Sequence, residues 1–257
     1  MKAIWTGAIG FGLVNIPIKM YSAIQGSELD LDMLDKKDHS NIKFQRINEK
    51  TGKVVQWANI VKGYKMEDKY VVLSDEDFAK ASPQKSKLIE IEEFVDAGEI
   101  DSVYYETPYY LEPEKTGGKA YVLLRDALKK SGKAGLGRYV MRTKESLCMI
   151  KPYKDILIVN KIRFQQEIRD IDEIKIPAGD GKAAEVKMAM ELINQLTGKF
   201  DISKYKDTYT DELMKLIKAK AKGKKIAAPT MRVVHSRTKD LMSQLKASLQ
   251  TGKRKAS

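Results

Sequence analysis

Short apolar runs separated by turn-forming residues fill the first 160 positions of this 257-residue chain. The runs are rich in Val, Ile, Tyr and Phe, and Gly, Pro, Asp or Ser stand between them. This spacing predicts many short β-strands and favours a barrel or a sandwich over alternating strands and helices. The predicted strands are Ala3–Trp5, Val14–Tyr21, Lys69–Leu73, Lys87–Phe94, Val103–Leu111, Gly137–Arg142, Glu145–Ile150 and Ile156–Asn160.

Three local features refine these strands. Gly7, Gly10 and Gly12 permit a positive φ or a close approach of another backbone. Pro17 lacks an N–H and is expected to confine its strand to a sheet edge or a bulge. The alternation in residues 28–35 predicts one more strand, with Leu29, Leu31 and Met33 on its buried face.

Helical periodicity predicts one helix within the β-rich part and several after Pro177. The first runs from Lys119 to Lys130 and ends at Gly132. A second is closed by Gly198, a third runs from Thr210 to Lys222, and a short one from Thr238 to Leu249 precedes a disordered tail. The apolar positions of the first two are Tyr121, Leu124 and Leu128, and Val186, Ala189, Met190, Ile193 and Leu196. The predicted domains are a mainly β core over 1–176, a helical arm over 177–203 and a basic helical segment over 204–257.

The positive charge of the chain is concentrated in two blocks. There are 47 Lys and Arg against 35 Asp and Glu, a net charge of +12. Residues 115–163 and 201–257 each carry a net +10, whereas residues 1–114 carry −6 and residues 164–200 carry −2. Such blocks are typical of proteins that bind a polyanion, although a solvated, solubilising face gives the same pattern.

The sequence offers little for catalysis or metal binding. Cys148 is the only cysteine, so a disulfide within the chain and a cysteine zinc site are excluded, and a buried position is expected for it. His39 and His235 are far apart in polar surroundings. Without a signal peptide or an apolar run of about 18 residues, a soluble, cytoplasmic protein with no catalytic residue, metal or cofactor is expected.

The arrangement of the first basic block suits the phosphate backbone of a duplex. Arg138 and Arg142 are four residues apart on one strand and therefore face the same side, while Tyr139 faces the core. Because phosphate contacts carry no sequence information, binding without sequence preference is expected. The candidate contacts from this block are Lys119, Arg125, Lys129, Lys130, Lys133, Arg138, Arg142 and Lys144.

Several segments resemble those of bacterial Ku, the family of DNA-end-binding proteins of non-homologous end joining. The resemblance extends over about residues 2–222. It rests on Lys2–Ala23 with its glycines, on Ile60–Tyr64, Tyr70–Phe78 and Tyr109–Leu111, and on Tyr205-Lys206-Asp207-Thr208-Tyr209.

The resemblance implies a Ku-type β-barrel core, an extended DNA-encircling bridge and a helical C-terminal arm. It also implies a homodimeric ring that threads a double-stranded DNA end, and recruitment of the ATP-dependent ligase D. The bridge is expected within Asp35–Lys53 or Lys115–Lys133, which adds Lys36, Lys37, Arg46 and Lys53 to the DNA contacts. The expected ligase contacts are Leu213, Lys215, Leu216, Ile217 and Lys218.

Two other classes of function stay open. One is an enzyme, either a metal-dependent nuclease that uses carboxylates such as Asp30 and Asp32 or an abasic-site lyase that uses a lysine with a depressed pKa. The other is a basic RNA-binding or ribosome-associated protein, which the charge alone permits.

Overall fold

A computed structural model describes residues 1–81, 87–141, 144–224 and 241–255. The chain forms two compact units. The first comprises Met1–Gly26 and Asp30–Asp170, and the second comprises Ser27–Leu29 and the residues from Ile171 onward. The strands are β1 Trp5–Phe11, β2 Val14–Ser22, β3 Lys62–Met66, β4 Lys69–Leu73, β5 Leu88–Asp96, β6 Tyr105–Pro113, β7 Lys133–Met141, β8 Lys144–Tyr153 and β9 Ile156–Ile162. The helices are α1 Asp75–Ala81, α2 Gly118–Ser131, α3 Ala183–Leu196, α4 Thr208–Ala221 and α5 Leu241–Lys255.

Seven strands close into a barrel in the order β1, β2, β6, β9, β8, β7, β5. All neighbours are antiparallel except β1 and β5, whose parallel pairing closes the barrel. Closure leaves no unpaired barrel edge on which another strand could add. The prediction of a mainly β fold with a barrel core and additional helices is therefore confirmed.

The barrel interior and one face of α2 share a single apolar core. Tyr121, Leu124 and Leu128 of α2 are buried in the same cluster as the inward-facing residues of the strands. The Tyr121 hydroxyl donates to the Leu111 carbonyl oxygen at 2.6 Å and accepts from the Leu157 N–H at 2.7 Å. Gly132 ends the helix in the left-handed conformation, as predicted.

Several details of the predicted strands need correction. β1 begins at Trp5, where the sequence pattern placed the end of a strand. β2 is not an edge strand, because it has a neighbour on both sides, but its pairing with β6 starts at Ile18, so Pro17 has a strand partner only in β1. Tyr139 and Cys148 are buried in the barrel core, as predicted.

Close backbone packing explains glycines within the barrel. A Cβ on Gly7 would lie 2.3 Å from the Lys87 carbonyl oxygen, and one on Gly137 would lie 2.0 Å from the Glu90 carbonyl oxygen. Both are backbone contacts that no side-chain rotation can relieve. Gly12, by contrast, has open space around it but a φ of 57°. Glycine is favoured there because residues with a side chain rarely adopt a positive φ.

Gly137→Ala is expected to destabilise the barrel by about 3 kcal/mol, because the new methyl group must displace the β5 backbone beside its bulge. Urea unfolding measures the change. Gly118→Ala is the control, since no atom lies within 4 Å of its Cβ and its φ is helical. A Gly137→Ala protein as stable as the control would contradict the packing argument.

Residues 30–81 form a long insertion between β2 and β5. From here on, "the arm" means this insertion and not the helical segment after residue 176. Two isolated bridges, the β3–β4 hairpin and α1 give the arm its backbone structure, but none of its residues is buried. The predicted strand over residues 28–35 is absent, and Leu31 and Met33 are exposed because no second layer covers them. Of the two stretches considered for the bridge, Asp35–Lys53 lies in the arm, whereas Lys115–Lys133 contains α2.

The second unit contains α3, α4 and α5, and α3 packs against α5. Thr197 in an extended conformation ends α3, so Gly198 is not its terminator. α5 continues to Lys255, and the predicted disordered tail is therefore wrong for residues 251–255. No helix in the described part of the chain has the length and apolarity required to span a bilayer.

Candidate nucleic-acid interface

Most basic residues on the barrel strands have carboxylate partners. Arg138 contacts both Glu92, at 3.1 Å, and Glu145, at 3.5 Å. Such exposed pairs add little to stability, but each carboxylate offsets the charge that a phosphate would meet. The other pairs are Lys133–Asp96 at 3.6 Å, Lys144–Glu167 at 3.8 Å and Lys161–Glu106 at 3.0 Å.

Two of these carboxylates are held in the ionised form. The Gly98 N–H and then the Lys133 ammonium lower the pKa of Asp96. The Phe164 N–H, and to a lesser extent Lys144, lower the pKa of Glu167. Both carboxylates therefore stay negative well below neutral pH. They offset the charges of Lys133 and Lys144 at any pH at which DNA binding would be measured.

The predicted contacts on α2 differ from one another. Arg125 donates from Nη1 to the Asp155 carbonyl oxygen at 2.8 Å and from Nε to Asp126 at 2.9 Å, so it joins α2 to the β8–β9 turn. Lys119, Lys129 and Lys130 are exposed and form no ion pair with any described residue. Arg142 lies outside the described residues.

The arm presents its cations on two tight turns. In the first, the Asp35 N–H donates to the Ser40 carbonyl oxygen at 2.8 Å, and His39 has a φ of 59°. In the second, the Asn48 N–H donates to the Lys53 carbonyl oxygen at 2.8 Å, and Asn48 Oδ1 accepts from two N–H groups inside the turn. The turns hold exposed cations without ion-pair partners among the described residues: Lys36, Lys37, Lys50 and Lys53.

Arg46 is positioned differently from these lysines. Its Cζ lies 4.4 Å from the centroid of the Trp57 ring, and Trp57 is 71% exposed. Stacking on the indole orients the guanidinium plane without neutralising its charge. Arg46 is thus an ordered, exposed cation, which suits a phosphate contact better than an arginine already paired with a carboxylate.

Four further cations between residues 36 and 65 were not predicted as DNA contacts: Lys43, Lys50, Lys62 and Lys65. The signal was present, because residues 36–65 contain eight Lys or Arg and only two Asp or Glu. Summing the charge over residues 1–114 hid this local excess behind the acidic residues of the barrel and of the rest of the arm. Lys62 Nζ lies 4.8 Å from the centroid of the Phe78 ring, so it too is held by an aromatic side chain.

The arm also exposes many large apolar side chains. A two-stranded hairpin such as β3–β4 is marginally stable alone, and contiguous exposed apolar residues are typical of interaction surfaces. The arm therefore combines basic turns with apolar segments that nothing described covers. Its exposed apolar residues are Leu31, Met33, Leu34, Ile42, Phe44, Ile47, Val54, Trp57, Ile60, Val61, Tyr64, Met66, Tyr70, Val71, Val72 and Phe78.

The candidate ligase surface lies on α4. Asp207 caps this helix, because its carboxylate accepts from the Thr210 N–H at 3.1 Å and the Ser27 hydroxyl at 3.0 Å. Hydrogen bonds from Thr210 lower the pKa of Asp207. The predicted contact residues are on a half-exposed apolar stripe and its basic border: Leu213 and Leu216 are half-buried, Ile217 and Lys218 are exposed, and Lys215 pairs with Glu212 at 2.7 Å.

The structure brings no metal-binding cluster together in the residues that it describes. Nowhere in those ranges do three or more His, Cys, Asp or Glu side chains lie close enough to hold an ion. Asp30 and Asp32, named for the nuclease alternative, are exposed on the arm. Cys148 is buried, and desolvation raises the pKa of its thiol.

Comparison with known proteins identifies the family. The family model described as the Ku70/Ku80 beta-barrel domain matches residues 10–190, which include all seven barrel strands in whole or in part. The chain belongs to the Ku family. The match also includes the arm, so the arm is part of the family's domain and not an unrelated insertion.

Relatives similar over nearly the whole chain carry one name, "Non-homologous end joining protein Ku". The protein from Coxiella burnetii (strain RSA 331 / Henzerling II) is 38% identical over 262 residues, which are 97% of this chain and 94% of that protein. The protein from Archaeoglobus fulgidus is 36% identical, with 98% and 100% covered. The protein from Bacillus subtilis (strain 168) is also 36% identical, with 99% and 83% covered.

Proposed function

We propose that this chain binds the ends of double-stranded DNA without sequence preference, as a homodimeric ring, in non-homologous end joining. The observation that carries the proposal is the arm: an extended segment with no core of its own, basic on its turns and apolar along its strands. The name shared by its relatives supports the same function. Such a protein acts on chromosomal DNA and works by binding, with no catalytic residue.

The two properties of the arm serve different contacts in this proposal. The apolar segments of two copies meet about a two-fold axis and cover one another. The basic turns then face the duplex enclosed between the barrels and the arms, where they displace counterions from phosphates. A closed ring gives end dependence to contacts that read no sequence, because loading requires a free end.

We expect the protein to be retained on linear duplex but not on a covalently closed circle of the same sequence. A duplex of about 20 to 40 base pairs, a few helical turns, should suffice. The sharpest measurement blocks both ends of the linear duplex with a bulky protein after loading. A threaded ring then survives a high-salt wash, whereas complexes on open-ended duplex dissociate.

Equal retention on the closed circle would contradict threading. Preference for structured RNA over blunt duplex in a direct competition would favour the RNA-binding alternative. Cleavage of the duplex that depends on magnesium, or trapping of the protein on an abasic duplex by borohydride, would favour the enzymatic one.

We also propose that α4 recruits the ATP-dependent ligase D of the pathway. The support is the exposed apolar edge of this helix beside its lysines, which fits a partner that docks by helix contact. Ile217, at 37% exposed, lies at that edge next to Lys218. Leu213 and Leu216, half-buried on the same helix, continue this apolar stripe.

Replacing Ile217 and Lys218 with Ser is expected to reduce stimulation of the ligase about tenfold, since losing one buried aliphatic side chain at an interface costs about 1.5 kcal/mol or more. DNA binding should stay within twofold. The matched control replaces Val186 and Lys187 of α3, which also removes one exposed apolar side chain and one lysine. Equal stimulation by both variants would contradict the assignment.

A further inference from the structure

An apolar groove lies between α2 and the mouth of the barrel. Its volume is about 520 Å³. Leu124 and Leu128 are buried at its base, and the Phe11 and Phe94 rings meet edge to face at 6.4 Å beside them. Leu123 completes the lining on the helix side.

Two large side chains of this groove are exposed although neither is needed for the proposed function. Leu123 is 67% exposed and Phe94 is 47% exposed. Single exposed apolar residues are common, but a leucine and a phenylalanine that share one concave surface form a continuous apolar patch, which is typical of a docking site. Duplex phosphates offer nothing that an apolar groove would bind.

The unpaired charges on the helix wall of the groove are positive, because Asp126, the acidic residue of α2, is paired with Arg125 at 2.9 Å. Lys119 lies four residues before Leu123 and Lys130 seven residues after it, so both are on the side of α2 that carries Leu123. Both are exposed, and neither has an ion-pair partner among the described residues. Lys133 on the opposite wall is paired with Asp96. The charge available to a ligand is therefore positive at both ends of the helix wall.

We propose that this groove docks an acidic amphipathic helix of a partner protein. Lys119 and Lys130 are eleven residues apart, about 16 Å along α2, which matches about three turns of a helix laid beside it. Apolar side chains spaced i, i+4 and i+7 would meet Leu123 and Phe94, and carboxylates near both ends would meet the two lysines. This assigns Lys119 and Lys130 to a protein partner and not to phosphates.

The test uses two synthetic 14-residue helices with the same leucine pattern, one with glutamates and one with lysines at its polar positions. Fluorescence anisotropy with the full chain should show at least tenfold tighter binding of the glutamate helix. Leu123→Glu should weaken that binding at least tenfold. Val122→Glu is the matched control: the neighbouring residue lines a different cleft, so binding should stay within twofold.

Charge reversal provides an independent readout. The double variant Lys119→Glu, Lys130→Glu should shift the preference to the lysine helix, and thermal unfolding should show that this variant and Leu123→Glu both remain folded. The proposal would be overturned if the glutamate helix did not bind at 100 µM, roughly the affinity range of weak peptide contacts. Equal binding of both helices, or displacement of the bound helix by a short duplex DNA, would overturn it as well.

Discussion

Replacing Lys36, Lys37, Arg46 and Lys53 with glutamine is expected to lower the affinity for blunt duplex on the order of 10³-fold at 0.15 M salt. Each of these cations is exposed and free of carboxylate partners among the described residues, so each is available to displace a counterion. If all four meet phosphates, the slope of log K against log salt should fall by about 3.6, or 0.9 per contact. A salt titration of duplex binding measures both quantities.

The matched control replaces four barrel cations, Lys133, Arg138, Lys144 and Lys161, with glutamine. The change in net charge is the same, but each removed cation had a carboxylate within 4 Å that offset it. We expect the control to change the slope by less than about one contact. A larger loss in the control than in the arm variant would place the DNA surface on the barrel, within the basic block 115–163 for which the sequence predicts most of the duplex contacts.

The barrel was predictable because its strands bury one face each. Alternation and turn residues located six of the seven barrel strands to within a few residues, including the runs around Tyr109 and Cys148, whereas β1 begins at the residue where its predicted strand ends. The start of β7 was missed because Gly135 and Gly137 interrupt the apolar pattern. Gly137 is required for close backbone contact with Glu90 of β5, and Gly135 leaves room for the Ile91 side chain; both contacts join segments more than forty residues apart.

The arm was not predictable from the same pattern. Residues 28–35 alternate as a half-buried strand does, yet Leu31 and Met33 have no second layer to pack on. Alternation reports that one face is apolar; it does not report whether the same chain covers that face. For the same reason, the pairing of Arg138 with Glu92 could not be read from the charges alone, since their proximity arises from the register of β5 and β7.

Replacing Tyr64 and Val71 with threonine is expected to abolish the dimer at micromolar concentration. The two residues are paired across the β3–β4 hairpin, and both are exposed. Threonine keeps the preference for β-strands while it removes most of the apolar surface. Burying an aliphatic or aromatic side chain contributes about 1.5–3 kcal/mol. Because each substitution occurs in both subunits of a two-fold dimer, the dissociation constant of the dimer should rise at least about 100-fold.

Light scattering and sedimentation measure the mass, and the end-blocking assay measures threading. The control replaces Leu13 and Val103, two exposed apolar residues outside the arm, with threonine. A dimeric control and a monomeric arm variant that no longer survives the high-salt wash would tie threading to the arm. If the arm variant stays dimeric, the two copies meet through another surface. If it becomes monomeric but remains threaded, one subunit encloses the duplex and the dimeric ring is wrong.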